Sequence, residues 1–172
     1  MKTLLSLIIF TAMLWSSQVS AQQFDPNVYH RMTTQFRGGG MCLDVFNGGA
    51  RNNHTHLTGC ADLSGQYWLI TPAGSGAYRL TTMFRGERMC LDIHNGGNRN
   101  NEPHLVPCAN FTGQLWRLRW DNGWYRLTTR FRGAGMCLDI HNGGPSNNMP
   151  QLRPCANYTG QFWSIQPTDK FR

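Results

Sequence analysis

Three stretches of this chain carry the same side chains at the same spacing: CLDVFNGG at 42–49, CLDIHNGG at 90–97 and CLDIHNGG at 137–144. In each, an aspartate (Asp44, Asp92, Asp139) stands two residues after a cysteine. A ring follows two residues later (Phe46, His94, His141), and an asparagine comes next (Asn47, Asn95, Asn142). Side chains alternate along a strand. Met89, Leu91 and Ile93 therefore fall on one apolar face, and Cys90, Asp92 and His94 on the other. The aspartate is expected to project away from the core at the end of a strand, just before an Asn-Gly-Gly turn. A carboxylate accepts two hydroxyl hydrogen bonds at once, and charge-assisted bonds are the stronger kind. A nearby ring offers an apolar face, and the amide adds a donor and an acceptor. Together these groups suit a polyol with one apolar face, which describes a sugar. The same residues also fit a local role, with the aspartate capping the turn and the glycines serving backbone geometry. The motif alone leaves both readings open.

The elements that must position these groups are themselves repeated. Cys42, Cys90 and Cys137 recur at the same interval as Cys60, Cys108 and Cys155, and as Trp68, Trp116 and Trp163. Such self-similarity marks a repeat architecture, with units at 30–77, 78–124 and 125–172 and no linker between them. Each unit reads as four short strands. In the second unit they fall at 78–84, 89–93, 104–108 and 114–120. The last places Trp116, Leu118 and Trp120 on one face and Arg117 and Arg119 on the other, the period-two pattern of a half-buried strand. Asp121-Asn122-Gly123 is a hairpin signal leading into the next unit. One unit is too small to bury its apolar face alone, whereas three can share a core.

The first residues belong to a different class. Lys2, an apolar run over 4–15 and the small residues Val19-Ser20-Ala21 read as a cleavable signal peptide over 1–21. The expected mature domain is 22–172, secreted or periplasmic, with no later segment apolar enough to cross a membrane. In that setting the six cysteines read as disulfides. Repeat symmetry favours Cys42–Cys60, Cys90–Cys108 and Cys137–Cys155. Each would close a short loop worth roughly 3 kcal/mol in the chain-entropy model. Metal binding by these thiols is disfavoured because none are closely spaced. The formal net charge of +7 comes almost wholly from arginine, whose planar fork of donors pairs with carboxylate, sulfate or phosphate. Solubility is one reading of that charge and an anionic glycan or surface the other. Nucleic acid is not an expected partner, because export separates the protein from it and the arginines are dispersed.

The second half of each unit narrows the reading. Gln66-Tyr67-Trp68, Gln114-Leu115-Trp116 and Gln161-Phe162-Trp163 each begin six residues after a cysteine, in register with the three Cys-Leu-Asp motifs. This combination resembles the ricin-type lectin family across about residues 29–166. The resemblance implies an all-β fold, a β-trefoil of three four-strand units with pseudo-threefold symmetry. It implies that the tryptophans pack in the shared core. It also implies that Asp44, Asp92 and Asp139 accept bonds from sugar hydroxyls, and that Gln66, Gln114 and Gln161 help hold them. Galactose-type glycans are the partners it implies. Two features depart from the family pattern. Where many members carry a stacking aromatic two residues before the second cysteine, this chain has Thr58, Val106 and Arg153. Where many place asparagine before the glutamine, it has Gly65, Gly113 and Gly160. Phe46, His94 and His141 are the expected substitutes for stacking, with His56, His104 and Gln151 as hydroxyl partners.

No nucleophile motif appears, the notable residues come in threes, and no cofactor or metal is called for. The expectation is therefore a non-catalytic lectin with up to three sites acting together. The rival reading is a protein-binding trefoil, an inhibitor or a toxin's targeting subunit, using Trp120 and Trp124, which have no counterparts in the other units. Asn53, Asn110 and Asn157 begin glycosylation sequons.

Overall fold

The computed structural model describes residues 24–172; the expected signal peptide lies outside the described residues. Among the described residues, twelve strands run in three sets of four. The first set is β1 Val28–Thr34, β2 Gly38–Val45, β3 Thr55–Gly59 and β4 Trp68–Pro72. The second is β5 Tyr78–Thr82, β6 Gly86–Ile93, β7 Pro103–Pro107 and β8 Trp116–Asp121. The third is β9 Trp124–Thr129, β10 Met136–Ile140, β11 Pro150–Pro154 and β12 Trp163–Phe171. There is no α-helix among the described residues, only single 3-10 turns.

The first and last strands of each set close a ring. β1 pairs with β4, β4 with β5, β5 with β8, β8 with β9, β9 with β12 and β12 with β1, all antiparallel. Closure leaves this six-stranded barrel without a free edge. The middle strands form three hairpins, β2–β3, β6–β7 and β10–β11. These hairpins are joined cyclically: Leu105 N–H donates to Asn53 O, Leu152 N–H to Asn101 O and Leu57 N–H to Asn148 O, at 2.8–2.9 Å. Asn53, Asn101 and Asn148 all take positive φ, a conformation asparagine tolerates better than most residues. Barrel plus hairpin triplet is the β-trefoil arrangement expected above.

The core repeats in threes. Trp68, Trp116 and Trp163 are fully buried, and each indole N–H donates to a buried carbonyl, of Leu43, Leu91 and Leu138 at 2.8, 2.7 and 2.9 Å. Burying so large a ring contributes roughly 4–6 kcal/mol before ordering entropy is subtracted, and the bonded N–H removes the usual penalty for an indole in the core. At the barrel end where β1, β5 and β9 begin, Phe24 sits among His30, Tyr78 and Tyr125, the three equivalent positions. Its ring lies 5.3–5.6 Å from each of theirs. The disulfides are Cys42–Cys60, Cys90–Cys108 and Cys137–Cys155.

One alternation breaks down. Leu118 packs against the core as expected, but Trp120 is 55% exposed. The β8–β9 hairpin runs on through Trp120↔Tyr125 and Asp121↔Trp124 to a turn at Asn122 and Gly123, both with positive φ. By Trp120 the strand has passed the end of the apolar interior, and the indole rests edge-on against Tyr125, at 4.9 Å.

Candidate functional site

The three aspartates stand at equivalent positions near the ends of β2, β6 and β10. They occupy the face opposite Leu43, Leu91 and Leu138, as alternation requires, yet they are buried rather than projecting into solvent. The reason is the following segment. After the disulfide the chain makes a 3-10 turn, Ser64–Gln66, Thr112–Gln114 or Thr159–Gln161, that folds back over the aspartate. Each turn delivers a fully buried glutamine to the carboxylate. Gln66 Nε2 donates to Asp44 Oδ2 at 3.0 Å, Gln114 Nε2 to Asp92 Oδ2 at 3.1 Å and Gln161 Nε2 to Asp139 Oδ2 at 3.1 Å.

Every glutamine is fixed in turn. Its Nε2 also donates to the carbonyl of Gly59, Pro107 or Pro154, and its Oε1 accepts the backbone N–H of Ala61, Ala109 or Ala156 at 2.8 Å. The other aspartate oxygen accepts the N–H of the next residue, Val45, Ile93 or Ile140, at 2.7–2.8 Å. An ionised carboxylate has about four lone-pair directions. Two are taken by protein donors, and the remainder can receive hydroxyl hydrogens.

Gly65, Gly113 and Gly160, the departures noted in the sequence, lie directly against these carboxylates. A Cβ on any of them would fall inside contact distance of the aspartate Oδ1. The glycines are therefore required by the aspartate's seat. Any residue with a Cβ at these positions would not fit against this aspartate rotamer.

Beside each aspartate is an open hollow. The second is lined by Asp92, Asn95, Phe111, Thr112, Gly113 and Phe131 among others. The first is lined by Asp44, Asn47, Leu63, Ser64, Gly65 and Phe84. The third is lined by Phe36, Asn142, Asn157, Tyr158, Thr159 and Gly160, with Asp139 against that glycine. Asn47, Asn95 and Asn142 are thus brought to the hollows with the aspartates.

Phe46, His94 and His141, expected as stacking rings, do not line them. Phe46 stacks on His56 with centroids 3.8 Å apart, and His94 on His104 at 3.5 Å. His141 Nε2 lies 3.0 Å from Gln151 Oε1. His56, His104 and Gln151 stand directly across the hairpin from the aspartates, and the rings turn toward these cross-strand partners. Burial lowers the pKa of His56 and His94. Burial, then the neighbouring His94, brings His104 down to about 4. His54, which approaches His94 and Arg99, falls to about 4 for the same first reason and then from Arg99.

Two sets of wall residues were missed in the sequence. Leu63, Phe111 and Tyr158 are large apolar side chains held 51–64% exposed, each three residues after the second cysteine of its pair. Phe36, Phe84 and Phe131 come from the neighbouring repeat. An arginine stacks over each of these rings, with Arg37, Arg85 and Arg132 4.0–4.1 Å from the ring centroids. Each guanidinium donates at 2.6 Å to an asparagine Oδ1, of Asn147, Asn52 or Asn100. The same oxygens accept the N–H of Gly143, Gly48 and Gly96 in the Gly-Gly turns. The thrice-written Phe-Arg-Gly was the available signal: its phenylalanine completes a neighbour's hollow while its arginine locks the neighbour's turn.

The model of the ricin-type beta-trefoil lectin domain matches residues 31–128. Comparison with curated proteins finds no match. Among solved structures, the designed three-fold symmetric protein ThreeFoil aligns with TM-score 0.66 at 21% identity, over 80% of this chain and 97% of its own. The Polyporus squamosus lectin, bound to the human-type influenza-binding epitope Neu5Aca2-6Galb1-4GlcNAc, aligns with TM-score 0.65 at 16% identity, over 84% of this chain and 50% of its own. A mosquitocidal holotoxin aligns with TM-score 0.71 at 16% identity, over 85% of this chain and 18% of its own. At such identities these likenesses establish the fold, and this chain spans only half of the Polyporus squamosus lectin and less than a fifth of the toxin.

Proposed function

Because the chain belongs to the ricin-type β-trefoil lectin family, we propose that it is a secreted, non-catalytic protein that binds glycans through hollows at Asp44, Asp92 and Asp139. The observation that carries this reading is the threefold seat itself. An aspartate is held by a buried glutamine against a glycine at the edge of an open hollow, three times over, and Asp44 and Asp92 themselves line theirs. Holding a carboxylate in place at the edge of a hollow serves a ligand that donates hydrogen bonds. The exposed apolar wall beside it serves a ligand with a C–H face. A pyranose has both, and galactose-type glycans are the class that family membership favours. Several hollows on one rigid body would raise avidity on a dense glycan surface by roughly 10²–10⁴.

A glycan array probed with the oxidised protein tests this, read beside the D44N/D92N/D139N variant. Binding to a defined terminal sugar that survives salt and is lost in the variant is the expected result. Binding only to anionic glycans that disappears with salt would transfer the role to the arginines. The exposed Trp120 supports a second reading, a protein partner. It would be favoured by a blank array together with partner capture that W120A abolishes.

A further inference from the structure

We infer that the three hollows are unequal: those at Asp92 and Asp139 are the working sites, the one at Asp44 is weak, and Leu63 is the residue that makes it so. This rests on the lectin reading and adds to it the residue that sets each site's strength.

The internal repeat supplies its own control. The seat beside each hollow is the same, an aspartate held by its buried glutamine and pressed against a glycine that lines the hollow. The far wall is the same, a phenylalanine stacked with an arginine. The near wall differs. Phe111 and Tyr158 hold aromatic rings 60% and 64% exposed, whereas Leu63 presents a branched aliphatic side chain. An aromatic ring offers a flat, negatively polarised face on which sugar C–H groups rest, and leucine has no such face.

The hollow at Leu63 is also the smallest, 180 Å³ against 420 Å³ at Phe111 and 390 Å³ at Tyr158. A second difference lies one residue earlier. Asn110 and Asn157 line their hollows, and Arg79 and Arg126 donate to their Oδ1 atoms at 3.3 and 2.9 Å. At the equivalent place in the first repeat, Asp62 is drawn away. It accepts the Tyr67 hydroxyl at 2.6 Å and pairs with Lys170 at 3.6 Å. The first hollow therefore keeps the Phe84 wall but lacks the near-wall ring and the rim amide together.

The test uses the side-chain amides of Asn47, Asn95 and Asn142 as one NMR reporter per hollow. The probes are methyl β-galactopyranoside, N-acetylglucosamine, methyl α-mannopyranoside and sialyllactose, each titrated separately. With any probe that binds, Asn95 and Asn142 are expected to respond at about tenfold lower concentration than Asn47. L63Y should bring Asn47 to within about threefold of the others, and F111L should weaken Asn95 by about tenfold while leaving Asn142 unchanged. Position 63 is half exposed, so the substitution does not disturb the core. Equal responses at all three reporters in the natural protein, or no gain in L63Y, would overturn the inference while leaving the lectin reading intact. Silence of every reporter with every probe, alongside a blank array, would overturn both.

Discussion

Replacing Gly113 by alanine places a methyl carbon against Asp92 Oδ1 and within 3.2 Å of Asp92 Cγ and Ile93 N. The backbone nitrogen belongs to a paired strand, so the carboxylate is what must move. Rotating it away breaks the 2.7 Å bond from Ile93 N–H and the 3.1 Å bond from Gln114 Nε2. Each is a bond to a charged acceptor, worth about 1.5–3 kcal/mol, and water at the hollow's mouth restores part of the loss. A net destabilisation of about 2–4 kcal/mol follows, a fall in Tm of about 5–15 °C for a domain of this size. Thermal unfolding followed by circular dichroism measures the first effect. The Asn95 reporter measures the second, loss of sugar response in the second hollow with the third retained. G39A is the control: Gly39 has open space where the methyl would go and no positive φ, so its effect should stay within about 0.5 kcal/mol. If G113A matched G39A in Tm and kept its sugar response, the glycine would not be seating the aspartate and the account of the site would fail.

Acid should weaken the protein through His54 and His104, both held near 4 in the folded state. A histidine whose folded pKa lies below its unfolded value contributes stability that is present above about pH 6.5 and lost as pH falls toward 4. Tm should therefore drop between pH 7 and pH 4.5, and H104Q, which copies Gln151 of the third repeat, should flatten the drop; a pH-independent Tm would contradict this. F24A removes the ring that three aromatic neighbours surround and should lose about 3–5 kcal/mol in urea unfolding; a loss under about 1 kcal/mol would mean the plug is dispensable. The C90S/C108S pair should lose about 3 kcal/mol without changing the far-ultraviolet spectrum, and an unchanged midpoint would show that the crosslink adds no stability.

Much of this molecule was legible before any coordinates. The threefold spacing of cysteine, aspartate, glutamine and tryptophan gave the repeat. Alternation within 116–120 gave the buried faces of Trp116 and Leu118, and symmetry gave the three disulfide pairs. These succeed because strand periodicity and repeat spacing are local quantities that a sequence states directly. Trp120 escaped because alternation names a face and not where along the strand the core ends. Phe46, His94 and His141 escaped for a related reason. Their position put them on the aspartate's face, but which way a ring turns depends on the residue that stands across the hairpin from the aspartate, here His56, His104 or Gln151.

What the sequence determined by itself is the scaffold and the identity of its polar seats: three four-strand units, their crosslinks, and an aspartate and a glutamine assigned to each. What only the tertiary structure decided is the shape of each hollow. Its walls come from a turn about twenty residues on, at Leu63, Phe111 or Tyr158, and from a phenylalanine of the neighbouring repeat, at Phe84, Phe131 or Phe36. The glycine against each carboxylate acquires its meaning only from that approach. Spacing along a chain records which side chains share a strand face, whereas a binding hollow is made where separate segments meet, and that meeting is set by closure of the barrel.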